Sequence, residues 1–386
     1  MKLIKNNITA VDGFTALGKC IGIKKGKKDF AIIYSDTVCN AAAVYTKNKI
    51  KGAPLYVNMD HLKDGKAQAI VINSGIANVA TGKKGISDAY KTCKLAGIEL
   101  NCSPKNILVA STGIIGKNLP IGIIEKGIKN SKNKLKTDNH AAEAILTTDT
   151  VKKEIAVKVD NFTIGAIAKG SGMIHPNMAT MLCFITTDAE LLPAELKQCL
   201  KKAVNVSFNM ISVDMDTSTS DMAIIMSNNT KKVSKAKFQD ALTYVCKEMA
   251  KKIASDGEGA TKLVEVNVIN AKTHSDAKKI AKGIICSNLL KCAIFGNDPN
   301  WGRILCAIGN STGYFVEKKL GVSIQNKIIV KNGIECKDFD NKQISSLLKK
   351  DKVTITVNLN LGNATSTAFG CDMSYDYIQI NAAYHT

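Results

Sequence analysis

The sequence predicts an α/β fold in which a mixed β-sheet is layered with helices. Two observations carry this prediction. Apolar runs of strand length alternate irregularly with stretches of helical periodicity, and some strand pairs lie close enough to form hairpins. Phe30–Tyr34, Ala69–Ile72, Ile107–Ala110, Met181–Thr186, Met222–Met226 and Leu263–Val268 read as buried strands. Helical periodicity marks Gly85–Leu95, Leu119–Lys129, Ala194–Ala203, Lys235–Ala254 and Ser275–Lys282. Glu154–Val159 and Phe162–Ala168 pair as a hairpin, which favours a mixed sheet over a purely parallel, doubly wound one.

With 386 residues, 45% of them hydrophobic, the chain can build one large domain or two ordinary ones. No tandem repeat, heptad pattern or Pro/Gly/Ser-rich linker divides it. No run approaches the roughly 18 apolar residues of a membrane span. Asn6 and Asn7 interrupt the basic start before any signal-like core, so a cytoplasmic location without a membrane partner is expected.

The formal charge of +20 comes from lysines spread along the whole chain. A nucleic-acid binder would cluster its bases, use arginine forks and interleave aromatics. This chain does none of these, so no nucleic-acid partner is expected, although the charge can steer a carboxylate substrate. The sole arginine, Arg303, stands beside the sole tryptophan, Trp301. It reads as a clamp, on a carboxylate or on peptide carbonyls, and a structural clamp is the better reading. The 12 cysteines contain no C-x-x-C pair and read as reduced core residues. The 5 histidines are equally scattered, so neither a metal nor a cofactor is expected.

The most unusual local composition lies between Ala168 and Thr180, where Gly170-Ser171-Gly172 leads through His175-Pro176 to a small residue, Ala179, and a hydroxyl residue at the head of a strand. A threonine hydroxyl is a poor nucleophile without a base beside it. Cleavage of the Ala179–Thr180 peptide would give Thr180 a free α-amine, whose pKa of about 7.7–8.0 leaves a useful fraction unprotonated near neutral pH. One residue would then supply nucleophile and base. On residue types alone, an ordinary Gly/Pro turn feeding a strand is the better reading.

The longer pattern shifts that balance. The segment from Lys169 to Leu182 resembles the processing site of the ornithine acetyltransferase family, the bifunctional glutamate N-acetyltransferase/amino-acid acetyltransferase precursors. Further matches follow in family order at 110–116, 146–150, 214–219, 256–262, 295–303 and 375–381. The resemblance implies self-cleavage between Ala179 and Thr180 into an α chain (1–179) and a β chain (180–386), with Thr180 as nucleophile. It implies an oxyanion hole at Thr112 and Gly113, and substrate contacts from Thr147, Lys169, Thr180, Glu258, Asn381 and Thr386. The implied fold is a layered α/β–β/α sandwich of the autoprocessed N-terminal-nucleophile-like kind, assembled as a heterotetramer of two α and two β chains. The implied reaction moves an acetyl group from N2-acetyl-L-ornithine to L-glutamate, with acetyl-CoA as a donor in some members. Two segments depart from the family pattern: Ile76 stands where Asn is usual, and the tail from Ala382 to Thr386 lacks the usual acidic ending.

Two other chemistries fit parts of the sequence. The same self-cleaved threonine could pass its acyl group to water, as in an aminopeptidase or amidase. Asp214-Met215-Asp216 also resembles the strand-end Asp-x-Asp of aspartyl-nucleophile phosphatases, which usually carry Thr or Val at the position of Ser218 and place the motif near the N-terminus.

Overall fold

The computed structural model describes residues 1–137, 140–175 and 181–383. Among these, nine strands form a large mixed sheet. Its order is Lys2–Leu3, Lys153–Val159, Phe162–Lys169, Leu182–Ala189, Met222–Lys231, Phe30–Tyr45, Lys66–Ile76 and Ile107–Ile114, with Phe14–Lys19 also paired to Phe30–Tyr45. The Leu182 and Met222 strands run parallel, as do the Lys66 and Ile107 strands. The other pairings in this sheet are antiparallel, including the expected hairpin. A second mixed sheet is built from Ile334–Glu335, Lys327–Lys331, Gly321–Ile324, Lys352–Asn358, Leu263–Ala271, Ala364–Cys371 and Ile211–Ser212.

Helix Lys235–Ser255 joins the layers. Phe238, Leu242, Val245, Met249 and Ile253 recur at helical spacing and are all buried. Each contributes roughly 1.5–3 kcal/mol by leaving water. This helix packs on strands of both sheets, and one apolar cluster runs from Ile164 and Ile185 of the large sheet to Val264, Val266 and Ile355 of the small one. A layered α/β architecture is therefore observed, and the strand and helix runs expected from the sequence fall within or beside the corresponding elements.

The sequence reading missed much of the second sheet, even though Lys352–Asn358 alternates strictly with Val353, Ile355 and Val357 buried. It also missed short helices whose starts are capped by a single side chain: Ser287 accepts from Leu290 N–H, Asn300 from Arg303 N–H and Asp340 from Gln343 N–H. The cysteine reading needs correction. All 12 are free thiols, but Cys20, Cys292 and Cys306 are exposed. The latter two lie on short helices that bury only one face.

One buried ionic triad ties distant segments together. Lys153 is fully buried, and its Nζ lies 2.7 Å from Asp149 Oδ1 and 2.5 Å from Asp256 Oδ2. Replacing Lys153 with Met should leave both carboxylates buried without their cation and cost roughly 3–5 kcal/mol of unfolding free energy. Urea unfolding of the variant beside wild type measures this directly; an unchanged midpoint would contradict the structural role given to the triad.

Candidate active site

The parallel strands Lys66–Ile76 and Ile107–Ile114 end together, and their register slips between Gly75 and Ile76. At that point Gly113 adopts φ +125°, and a Cβ there would lie 2.3 Å from the Gly75 carbonyl carbon, so only glycine fits. Asn73 braces the bulge: its Nδ2 donates to Ile76 O at 2.8 Å, while Ser111 Oγ donates to its Oδ1 at 2.6 Å. The result is a Thr112–Gly113 corner with backbone exposed to a cavity.

Lys169 ends the Phe162–Lys169 strand, farther along the same sheet, and pairs with Leu182. Its side chain is nearly buried, with Nζ 3.5 Å from Thr112 Oγ1. Thr112, Lys169, Met181, Ser218, Ser220 and Asp221 line a small niche. Met222 N–H donates to Met181 O at 3.0 Å, which puts the head of the Leu182 strand beside Asp221. Asp221 is buried, and its Oδ2 has no hydrogen-bond partner among the described residues. Burial pushes its carboxyl well above the ordinary range, against Ser218, the Lys169 cation and Thr46.

The niche adjoins a cavity of about 260 Å³ whose lining includes Thr112, Gly113, Thr147, Lys169, Glu258 and Asn381. Six residues singled out in the sequence, separated by up to 269 positions (381 − 112), thus meet around one space. Ala179, Thr180 and Thr386 lie outside the described residues. Glu258 accepts from Asn381 Nδ2 at 2.9 Å, and Gly172 leaves it room: a Cβ there would come within 2.2 Å of the carboxylate and push it aside.

Residues that the sequence reading left without a role in this site hold it in place. Asp149 accepts from the N–H groups of Thr147 at 3.0 Å and Gly170 at 2.6 Å. Burial alone would raise its carboxyl pKa. The Lys169 and Lys153 cations and these hydrogen bonds overcome that and hold it well below the usual carboxylate range. Asp256 accepts from Thr150 N–H at 3.1 Å and from the Thr150 hydroxyl. Ser171 Oγ donates to Asp256 O at 2.6 Å, and Ser171 O accepts from Glu258 N–H at 3.1 Å. The signal that could have found them is that Asp149 and Asp256 each fall inside a segment matching the family pattern, 146–150 and 256–262.

Asp214 spends its carboxylate on the N–H groups of Met173 at 2.6 Å and Ile174 at 2.8 Å. It acts as a backbone brace, which removes the basis for an aspartyl-nucleophile phosphatase. Arg303 Nη1 donates to Leu289 O at 2.6 Å, so the lone arginine clamps a peptide carbonyl away from the cavity.

A small niche with a buried carboxyl, set beside a cavity that carries a lysine and carboxylates, is the kind of site an enzyme acting on small charged compounds uses. The chain matches the ArgJ family over residues 15–386. It is 46% identical over 401 aligned positions to the arginine biosynthesis bifunctional protein ArgJ of Bacillus cereus, covering 100% of this chain and 98% of that one. It is 48% identical over 395 positions to the Staphylococcus aureus protein of the same name, covering 98% and 95%. The crystal structure of the Bacillus halodurans protein of that name superposes with a TM-score of 0.50 at 40% identity, over 52% of this chain and 97% of that chain. This chain belongs to the ArgJ family, and the resemblance read from its motifs holds: it is an acetyltransferase of arginine biosynthesis.

His175 lies outside the cavity lining, against Ser212 and Cys286. Its Nδ1 lies 3.1 Å from Ser212 Oγ and 3.5 Å from Cys286 Sγ. Burial, reinforced by the Lys282 cation, lowers its pKa from 6.5 to about 4. Between those values the unfolded chain binds the extra proton, so stability rises with pH across the window and is lost as pH falls from 6.5 towards 4. Unfolding midpoints measured from pH 7 to pH 4 should drop for wild type and drop less for His175→Gln.

Proposed function

We propose that this chain cuts itself before Thr180, giving an α chain of residues 1–179 and a β chain of residues 180–386, and then carries acetyl groups on the Thr180 hydroxyl. The donor is N2-acetyl-L-ornithine and the acceptor is L-glutamate; the products are ornithine and N-acetylglutamate. The observation that carries this reading is the shared niche. Thr112, Lys169 and Asp221 surround Met181, the residue covalently bonded to Thr180.

In cleavage, the Thr180 hydroxyl adds to the Ala179 carbonyl and the C–N bond breaks, leaving an ester that water hydrolyses. The departing nitrogen needs a proton. The proton lost by the hydroxyl supplies it, and Asp221, whose carboxyl burial pushes well above the ordinary range, lines the same niche and is suited to relay it. In turnover, the hydroxyl attacks the acetyl carbonyl while the α-amine of the same residue takes its proton. The oxyanion forms against the Thr112–Gly113 corner, and the ornithine amine leaves with the proton. The glutamate amine then attacks the acetyl ester and regenerates the hydroxyl. Lys169 and Asn381 serve substrate carboxylates, Glu258 the side-chain ammonium of ornithine, and Thr147 and Thr386 complete the contacts.

The sheet order supports a cut that leaves the halves joined. The Leu182 and Met222 strands of the β chain sit between the Phe162 and Phe30 strands of the α chain. The Bacillus halodurans chain, 97% of which aligns with only 52% of this one, is also of the length that a cut near the middle would produce. The cleaved pair is read as half of a cytoplasmic α₂β₂ heterotetramer. No helix among the described residues is long and apolar enough to cross a membrane.

Intact-mass analysis tests the nucleophile. Wild type should yield two fragments, one beginning at Thr180, and Thr180→Ala a single inactive chain; an active, uncut wild type would remove the free-amine mechanism. Gly113→Ala should lower the transfer rate roughly 10²–10³-fold in the glutamate-acetylation assay by closing the oxyanion corner. Hydrolysis outrunning transfer would favour the amidase reading.

A further inference from the structure

Three carboxylates line the substrate cavity: Asp214, Asp216 and Glu258. Their surroundings leave them in different states. Asp214 is spent on the N–H groups of Met173 and Ile174, and it also accepts from Asp216 N–H at 3.2 Å. Glu258 is buried and gives one oxygen to Asn381. Asp216 is exposed, and its carboxylate has no hydrogen bond or ion pair among the described residues. Tyr377, also in the lining, stands among the three. Burial first, then the Asp214, Glu258 and Asp216 carboxylates, raise the pKa of its hydroxyl, so this part of the wall carries excess negative charge.

The cation of the same lining is Lys169. It is only 9% exposed, and among the described residues it has no ion pair; its Nζ approaches Thr112 Oγ1 at 3.5 Å. A buried ammonium without a counter-ion is disfavoured unless a ligand brings the anion. The cavity therefore holds an unpaired cation that suits a carboxylate and an unpaired anion that suits an ammonium. A side-chain ammonium has three N–H donors, and Glu258, with one oxygen already engaged, meets only part of that demand.

We infer that Asp216 is a specificity-determining residue of this cavity: beside Glu258 it holds the side-chain ammonium of the donor amino acid and favours that donor over one with a neutral side chain. The inference rests on the acetyl exchange proposed above and adds to it a residue outside the contacts implied by the family pattern. The same charge opposes the side-chain carboxylate of glutamate. Because Asp216 is exposed, water and salt screen that repulsion, and the acceptor is still admitted.

Calorimetric titration of the purified enzyme with L-ornithine and with L-norvaline, which has the same carbon chain without the ammonium, tests this. Wild type should bind ornithine more tightly. Asp216→Asn should lose roughly tenfold in ornithine affinity, the size of one charge-assisted hydrogen bond, and keep its norvaline affinity. Asp216→Ser should behave like Asp216→Asn, and Asp216→Glu should recover part of the preference. In the exchange assay the KM for N-acetylornithine should rise in Asp216→Asn while that for glutamate stays or falls. Ornithine binding that is unchanged in Asp216→Asn, or a loss shared equally by both amino acids, overturns the inference. So does a wild type that binds norvaline as tightly as ornithine. Binding is read apart from turnover, so a wild type that shows the preference but exchanges no acetyl groups counts against the proposed function alone.

Discussion

Lys153 carries an ammonium that water does not reach, held between the carboxylates of Asp149 and Asp256. An unpaired charge at that depth would be strongly disfavoured, so these three side chains must stay together in the folded protein. Their backbones come from separate regions: the turn after Leu146, the start of the Lys153–Val159 strand, and the loop after helix Lys235–Ser255. Because Asp149 also binds the N–H groups of Thr147 and Gly170, and the Asp256 loop carries Glu258, the triad sets the spacing between opposite walls of the cavity. The spacing of the cavity walls therefore rests on groups that do not line the cavity.

The large sheet supplies a second constraint. Its strands come from both sides of the proposed cut, with the two later strands inserted between earlier ones. A strand buried on both sides in a ladder cannot leave without breaking two sets of backbone hydrogen bonds. Self-cleavage could free a terminus inside such a sheet without releasing either half, which is what an N-terminal nucleophile requires. The same geometry aligns Lys169 with Leu182 and Met222 with Leu182, bringing Lys169 and Asp221 to the head of one strand.

Charge is distributed unevenly for a protein of net +20. The substrate cavity contains Lys169 with Asp214, Asp216 and Glu258, whereas a neighbouring concavity is dominated by Lys19, Lys24, Lys27 and Lys28. Dispersed lysines in sequence thus become a local field only where the fold gathers them.

The strand and helix runs, the layered α/β class and the family pattern were legible from residue order, because hydrophobic periodicity and short motifs are local properties. So were Thr112, Gly113, Thr147, Lys169, Glu258 and Asn381, each embedded in a recognisable stretch. Tertiary structure alone decided that these six line one cavity, that Asp214 is a brace and Arg303 a carbonyl clamp, and that Asp149, Lys153 and Asp256 form the hub behind them. The physical reason is range. Periodicity reports which face of an element is buried, but pairing a buried charge depends on where chain segments more than 100 positions apart come to rest, as with Lys153 and Asp256.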